Sequence, residues 1–275
     1  MNKHSTVKAL VLLVAISTAV LASSCSSKTK TATVAAAQSS SAPSTTSTST
    51  STTPAASSSS ASTNSSAPAG DPLSGLQPLY PFASQADVDE WVASYRDGGH
   101  QPWHLDPEAT AQSFTTGFLG YTELDAIVHS TIGNTDARVA VGFVNPNGDK
   151  VTAATIHLVK FGTGDDAPWE VVGTDDDPSL TLEGPSYGAA VGTSFEASGH
   201  LTGVDENIVM QVRQLSSDGS VSTAPAVPAG GENSPWHTTV TLSGATDRVL
   251  TVAAATGGHL LGVERFAVTA VRLHA

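Results

Sequence analysis

The sequence predicts an α+β domain, two helices followed by an antiparallel sheet, and after it an all-β sandwich. Three observations carry this reading. Apolar residues recur at helical spacing only between residues 84 and 120. Beyond residue 125 the apolar pattern alternates with a period of two, in short runs separated by turn formers. Helices first and strands afterwards give an α+β order, because a parallel α/β sheet needs the two to alternate along the chain.

Taken from the start, the chain opens with a basic stretch, Lys3, His4 and Lys8, then the apolar run "ALVLLVAISTAVLA" from Ala9 to Ala22. Ser23 and Ser24 follow, and then Cys25, the single cysteine of the 275 residues. Basic start, apolar run and small residues are the plan of a signal peptide over residues 1–24. The run is shorter than the ~20 residues a membrane-spanning helix needs. A lone cysteine cannot close an internal disulfide, and a catalytic thiol needs a base and a walled pocket beside it. The placement of Cys25 resembles a bacterial lipobox, which implies lipidation at Cys25, attachment to the membrane through that lipid, and an extracytoplasmic location. Several acyl chains on one cysteine would make the anchor stable where one chain is marginal.

Residues 25–70 read as a tether. Ser, Thr, Ala and Pro make up nearly all of it, and Val34 is its one large aliphatic residue. Such a segment buries too little apolar surface to offset its ordering entropy. As a flexible coil it would span roughly 35–40 Å.

Two folded segments are expected after it, residues 71–178 and 179–275, with a seam in "GTDDDPSLTLEGP" from Gly173 to Pro185. In the first, Ser84 is an N-cap with Asp87 three residues on, and Val88, Trp91, Val92 and Tyr95 form an apolar stripe that Gly98 and Gly99 stop. Asp106 caps a second helix with Pro107 at its first position, and Ala111, Phe114 and Phe118 line it up to Gly120. The runs "AIVHSTI", "ARVAVGFV", "VTAATIHLVKF" and "WEVVG" are strands, with "GNTD" and "NPNGD" as hairpin turns. In the second segment, "SFEASGHLTG", "NIVMQVRQL", "WHTTVTL", "RVLTVAAAT" and "RFAVTAVRL" are separate short strands. Leu250, Val252 and Ala254 form one face, as do Phe266, Val268 and Ala270. "APAVPAGGENSPW" reads as a Pro/Gly-rich loop before Trp236.

Pro185, Gly188, Val191, Gly199, "GVDENIVMQVRQ", Asp218-Gly219, Trp236 and "RFAVTAVRL" together resemble the Gmad2 family, an immunoglobulin-like domain named for bacterial spore germination proteins. The resemblance covers about the last 90 residues. It implies an immunoglobulin-like sandwich appended to a secreted or lipid-anchored bacterial protein, and it supplies no catalytic residues.

Charge excludes one class of partner. Beyond residue 70 there are 25 acidic residues against 8 basic ones, a formal excess of 17 negative charges. Nucleic acid demands the opposite. Three constellations carry side chains with candidate chemistry. His100, His104, Asp106 and Glu108 carry metal-ligand atoms, but Pro102 and the glycines before it make their segment a loop rather than the helix an i, i+4 pair needs. Asp175, Asp176 and Asp177 carry oxygen ligands for calcium, but consecutive acids do not alternate as a calcium loop does. No P-loop, G-x-S-x-G, H-E-x-x-H or G-x-G-x-x-G occurs. Trp103, Trp169 and Trp236 each follow a proline, and with Trp91 they are expected as core anchors rather than an aromatic platform. No catalytic residue, metal site or cofactor is therefore assigned, and no ligand-binding residue is named. The expected function is non-catalytic: display of two small domains in the cell envelope for binding an envelope protein or glycan. The alternative is an envelope enzyme with a pocket in the first domain.

Overall fold

The computed structural model describes residues 73–274. The residues expected to form a signal peptide and a tether, and Cys25, lie outside the described residues. The described residues belong to one compact unit.

Helix α1, Gln85–Gly98, begins at Ser84, whose hydroxyl accepts from the Asp87 amide at 3.3 Å. The Asp87 carboxylate accepts in return from the Ala83 amide at 3.1 Å, so two otherwise orphaned donors are satisfied. Gly99, at φ 69°, closes the helix in the left-handed conformation that glycine adopts without strain. A single 3-10 turn, Pro102–Leu105, follows. Helix α2, Pro107–Gln112, starts on Asp106, which accepts from the Glu108 and Ala109 amides at 2.9 and 3.3 Å. It does not run on as α-helix to Gly120. From Ser113 to Phe118 it widens into a π turn, with the Leu119 amide reaching back to Phe114 carbonyl at 2.8 Å.

Strands β1 Ala126–Ile132, β2 Asp136–Val144, β3 Lys150–Lys160 and β4 Trp169–Thr174 form an antiparallel meander in chain order. Asn145 makes the β2–β3 turn by accepting from the Asn147 and Asp149 amides, both at 2.9 Å. The second sheet contains β5 Ala189–Val191, β6 Ser194–Arg213, β7 Ser222–Thr223, β8 Val227–Leu242, β9 Val249–Thr256 and β10 Arg265–Leu273, in the order β5-β10-β9-β6-β8-β7. Only the β5–β10 pair is parallel.

This architecture overturns the expectation of an α+β domain followed by an immunoglobulin-like sandwich. Strands hold 47% of the described residues and helices 15%, so the fold is mainly β with two short helices packed on it. The second half is one six-stranded sheet that curls into a nearly closed barrel, not two facing sheets. The reason lies in β6. Its first part pairs with β8 as far as Ile208, and from Val209 it pairs with β9 instead. The two runs "SFEASGHLTG" and "NIVMQVRQL" are thus one bent strand that carries the sheet around a corner.

The Pro/Gly-rich segment before Trp236 is also strand. Pro228 and Pro235 stand opposite Asn207 and His200 in the β6–β8 ladder. Of the described strands, only β7 pairs with the far edge of β8, at Thr241 and Leu242, and an edge strand tolerates residues that cannot donate.

Three apolar clusters fill the unit. The first joins Phe114, Val139, Val141, Ile156, Leu158 and Trp169 of the first half to Ala253, Ala255, Phe266, Val268 and Ala270 of β9 and β10. The second lies inside the barrel, around Leu201, Ile208, Val212, Trp236, Leu250, Val252 and Ala254. The third packs α1 through Val88 and Trp91 on Phe82 and Phe161.

The stretch read as a seam is a strap along the open edge of β6. Thr181 and Thr202 amides bond to His200 and Ser179 carbonyls, both at 2.9 Å, and Gly184 and Ser198 exchange bonds at 3.0 Å. Gly199 permits this closeness: a Cβ there would run into the Thr181 carbonyl and stand 2.9 Å from Cζ2 of Trp236. Gly199→Ala is expected to cost about 1–3 kcal/mol by overpacking, while Gly192→Ala, with open space around it, stays near wild type. Thermal unfolding of both variants checks this, and equal midpoints would count against the strap.

Candidate binding face

A row of half-buried side chains crosses from the first half of the unit to the second. Trp103 stacks on Tyr80 with centroids 6.2 Å apart, Tyr80 meets Phe118 at 5.3 Å, and the Arg213 guanidinium sits over Phe118 at 5.2 Å. Each member is set by the backbone beneath it. Trp103 rides on the 3-10 turn that Pro102 opens. Phe118 ends the π turn. Arg213 is the last residue of β6. Tyr80 is bridged to β4, with the Leu79 amide donating to Val171 carbonyl at 3.0 Å and the Val171 amide donating to Tyr80 carbonyl at 2.7 Å. Its hydroxyl shares a 2.6 Å bond with the Ser113 hydroxyl. Burial, only partly offset by that bond, raises the Tyr80 phenol above its ordinary pKa.

Behind Tyr80 stands a buried acid. Glu170 of β4 is fully enclosed, and its two oxygens accept from the Tyr80 and Phe82 amides at 2.7 and 3.2 Å. Those donors favour the charged form. Desolvation outweighs them and pushes the carboxyl well above the usual glutamate range. Glu170 therefore fastens the "PLYPF" segment to the sheet and fixes the height of the Tyr80 ring.

The cation at the end of the row has no ion pair among the described residues. Arg96 pairs with Asp166, Arg138 with Asp136 and Asp175, and Arg265 approaches Glu206 at 3.6 Å. The Arg213 side chain makes no hydrogen bond or ion pair with a described residue, and its buried Nε has no acceptor. Desolvation pulls its pKa below the ordinary arginine value, against the attraction of Asp218 and Tyr121. Next to it, burial pushes the Tyr121 phenol up to about 12. Gln211 ties the end of the π turn to β6 by donating to the Leu119 carbonyl at 3.1 Å.

Two clefts lie beside neighbouring segments, and none of the four row side chains lines either. One, of about 420 Å³, is lined by Pro78 and Pro81 on either side of Tyr80, by Leu215, and by Asp247 and Arg248. The other, of about 350 Å³, is lined by Leu119, Gln211 and the exposed Val209. Stacked rings and one guanidinium without an ion pair suit adsorption of a ligand. The row holds no nucleophile–base pair.

The residues weighed from sequence lie elsewhere. His100 is exposed beside Gly98. His104 is buried among Phe82, Trp91 and Trp103, with ring centroids 4.9, 5.1 and 3.7 Å away. Asp106 is spent on the α2 cap, and Glu108 accepts from the Ser130 hydroxyl at 2.5 Å. These four do not converge. Asp175 is held by Arg138 Nε at 2.7 Å, and Asp177 accepts from the Ser179 amide at 2.7 Å, so the acids of the strap point to separate partners. Among the described residues no group of three or more His, Cys, Asp or Glu is placed to hold a metal ion. Trp91, Trp169 and Trp236 are buried anchors, whereas Trp103 is half-exposed in the row. The interior between α2 and the meander, where an enzyme pocket was the alternative, is packed by Phe114, Leu124, Val139, Val141, Ile156 and Leu158.

The sequence reading missed Tyr80 and Arg213. "PLYPF" was the available signal for the first, since a tyrosine between two prolines is presented on a stiff, extended segment. No family model, curated protein or solved structure matches the chain.

Two buried groups make opposite pH predictions. Burial lowers His104 to about 4 from an ordinary value of 6.5. The unfolded chain therefore binds that proton first, and the His104 contribution to stability is lost as pH falls from 6.5 toward 4. In His104→Phe this part of the slope should vanish from chemical unfolding curves; an unchanged slope would refute it. Glu170 has the reverse sign. Its folded pKa is raised, so its contribution is present at acid pH and is lost as pH rises from the ordinary glutamate range through the raised value. The stability difference between wild type and Glu170→Gln should shrink steadily over that rise, and a flat difference would show that the carboxyl titrates normally.

Proposed function

We propose that the chain is a lipid-anchored extracytoplasmic protein of a bacterial envelope that binds a partner there without catalysis, using the face that runs from Trp103 to Arg213. The observation that carries the binding part is the half-buried aromatic row ending in an unpaired arginine. Partly exposed aromatic side chains in a chain with few aromatics leave apolar surface in water that a bound glycan or protein surface would cover. The anchoring part rests on the lipobox-like setting of Cys25 and the Ser/Thr-rich stretch after it. The resemblance of the last 90 residues to Gmad2 modules supports the same placement, since those are appended to secreted or lipid-anchored bacterial proteins.

The test separates the two parts. In a bacterial host, Cys25→Ala or globomycin should move the protein from the membrane to the soluble fraction; unaltered partitioning would remove the anchor. Isolated envelope should retain the full wild-type chain, and Trp103→Ala combined with Arg213→Gln should lower retention about tenfold or more, as loss of an aromatic and an arginine contact does. Equal retention of the variant would remove the binding face.

A further inference from the structure

A second concavity, at the far end of the β9–β10 ribbon, gathers the basic side chains that the acidic chain otherwise disperses. Adjacent strands build it. In the ladders Arg272 stands opposite Ala190 of β5 on one side and Val249 of β9 on the other. Arg248 immediately precedes β9, and its carbonyl accepts from the Leu273 amide at 2.9 Å; the residue also lines the cleft beside Pro78 and Pro81. The His274 amide donates to Val191 carbonyl at 2.7 Å and fixes the chain just past β10. Arg248, Arg272 and His274 all line the same open cavity of about 660 Å³.

Their donors are largely unspent. Arg248 has no side-chain hydrogen bond or ion pair to a described residue. Arg272 uses only its Nε, which donates to Gly188 carbonyl at 2.9 Å, and keeps both terminal nitrogens free. A neutral imidazole still offers one N–H, so His274 adds a donor in either protonation state. One acid, Asp247, faces the same space, and one of its oxygens is occupied by the Ser216 amide at 2.9 Å. Beyond residue 70 the chain carries only 8 basic residues against 25 acidic ones, so two unpaired guanidiniums on one concavity depart sharply from the rest of the chain.

We propose that this concavity, lined by Arg248, Arg272 and His274, is a binding site for a phosphate group. Two guanidinium forks and an imidazole supply donors in several directions, which fits the three or more oxygens of a tetrahedral phosphate better than the two of a planar carboxylate. The phosphate comes either from a soluble ester or from a lipid headgroup. The site does not depend on the aromatic row, and Arg213 takes no part in it.

The experiment uses the full chain with Cys25→Ser, so that no lipid reports on membranes. Calorimetric titration with inorganic phosphate and with glycerol phosphate, at fixed low salt, should give saturable binding that acetate does not match. Flotation with phosphatidylglycerol vesicles, against phosphatidylcholine vesicles, reads the headgroup source. Arg248→Gln and Arg272→Gln should each weaken whichever binding is seen about tenfold or more, and Arg272→Lys should restore part of it. Arg272 and Arg248 are exposed, so thermal unfolding should show both variants folded. Binding to vesicles alone assigns the site to a headgroup, and binding to the soluble esters alone assigns it to a soluble phosphate. No binding by the wild type in either arm, equal binding by the arginine variants, or acetate binding as tightly as phosphate would overturn the proposal.

Discussion

The β9–β10 ribbon is the constraint on which the rest depends, because it is buried on both faces. Phe266, Val268 and Ala270 of β10, with Ala253 and Ala255 of β9, face the cluster under the helices. Leu250, Val252, Ala254 and Val271 face the barrel interior. A strand sandwiched between two packed layers has little room for polar side chains, and those the ribbon holds, Thr251, Thr256 and Thr269, are small and buried; its neighbours approach from both sides. That explains the alanines. "VAAAT" in β9 supplies residues small enough to let α2 and the meander close from one side while β8 closes from the other. Thr174 then bonds the layers directly: its hydroxyl accepts from the Val268 amide at 2.9 Å and donates to the Val268 carbonyl at 3.4 Å. Each half uses the ribbon as a wall, so neither encloses its core alone.

The binding face follows from that shared wall. Tyr121, just past the π turn, packs on Phe266 of β10 with ring centroids 5.2 Å apart, and Phe118 at the end of that turn gives Arg213 an aromatic ring to sit over. On the other side of Phe118, Tyr80 is held in place by an acid that has no exposure to water. A buried carboxyl is costly, and replacing it by an apolar residue would strip two backbone amides of their acceptor. Glu170 is thus tied to the geometry of the proline-flanked segment rather than to proton transfer. The row is half-exposed because it lies on the outer rim of the joint, where neither half covers it completely.

Local signals in the sequence are legible where one residue type solves one local problem. Ser84 and Asp106 cap helices, Gly99 ends one, and Asn145 turns a hairpin, each as the sequence predicts. The rows Leu250/Val252/Ala254 and Phe266/Val268/Ala270 are real faces, but they point into different clusters. Alternation could not reveal this, because an alanine run reads the same on both sides. The join between the two stretches of β6 is hidden as well. Gly203, Asp205 and Glu206 look like a turn in isolation, and only the exchange of partners from β8 to β9 makes them the corner of one strand. Pro228 and Pro235 conceal β8 for the complementary reason: proline is a breaker in a central strand and is tolerated at an edge. The candidate face was out of reach because its members, Tyr80, Trp103, Phe118 and Arg213, are brought together only by tertiary packing.

The scarcity of basic residues sharpens what the surface can recognise. On a surface so rich in acids, an anion is repelled almost everywhere it approaches, and screening limits that repulsion to distances of about 10 Å. Arginines locked in ion pairs, such as Arg138 between Asp136 and Asp175, do little to relieve it. Arg213, Arg248 and Arg272 are different, since no described acid forms an ion pair with them. Each offers unspent donors to an anion, and the surrounding acids act against any anion bound elsewhere, so that the same negative charge which weakens binding in general confines it to a few sites. A chain of this composition therefore gains selectivity from unpaired arginines out of proportion to their number, and the positions of those arginines are set by the ends of β6, β9 and β10, where the doubly buried ribbon meets solvent.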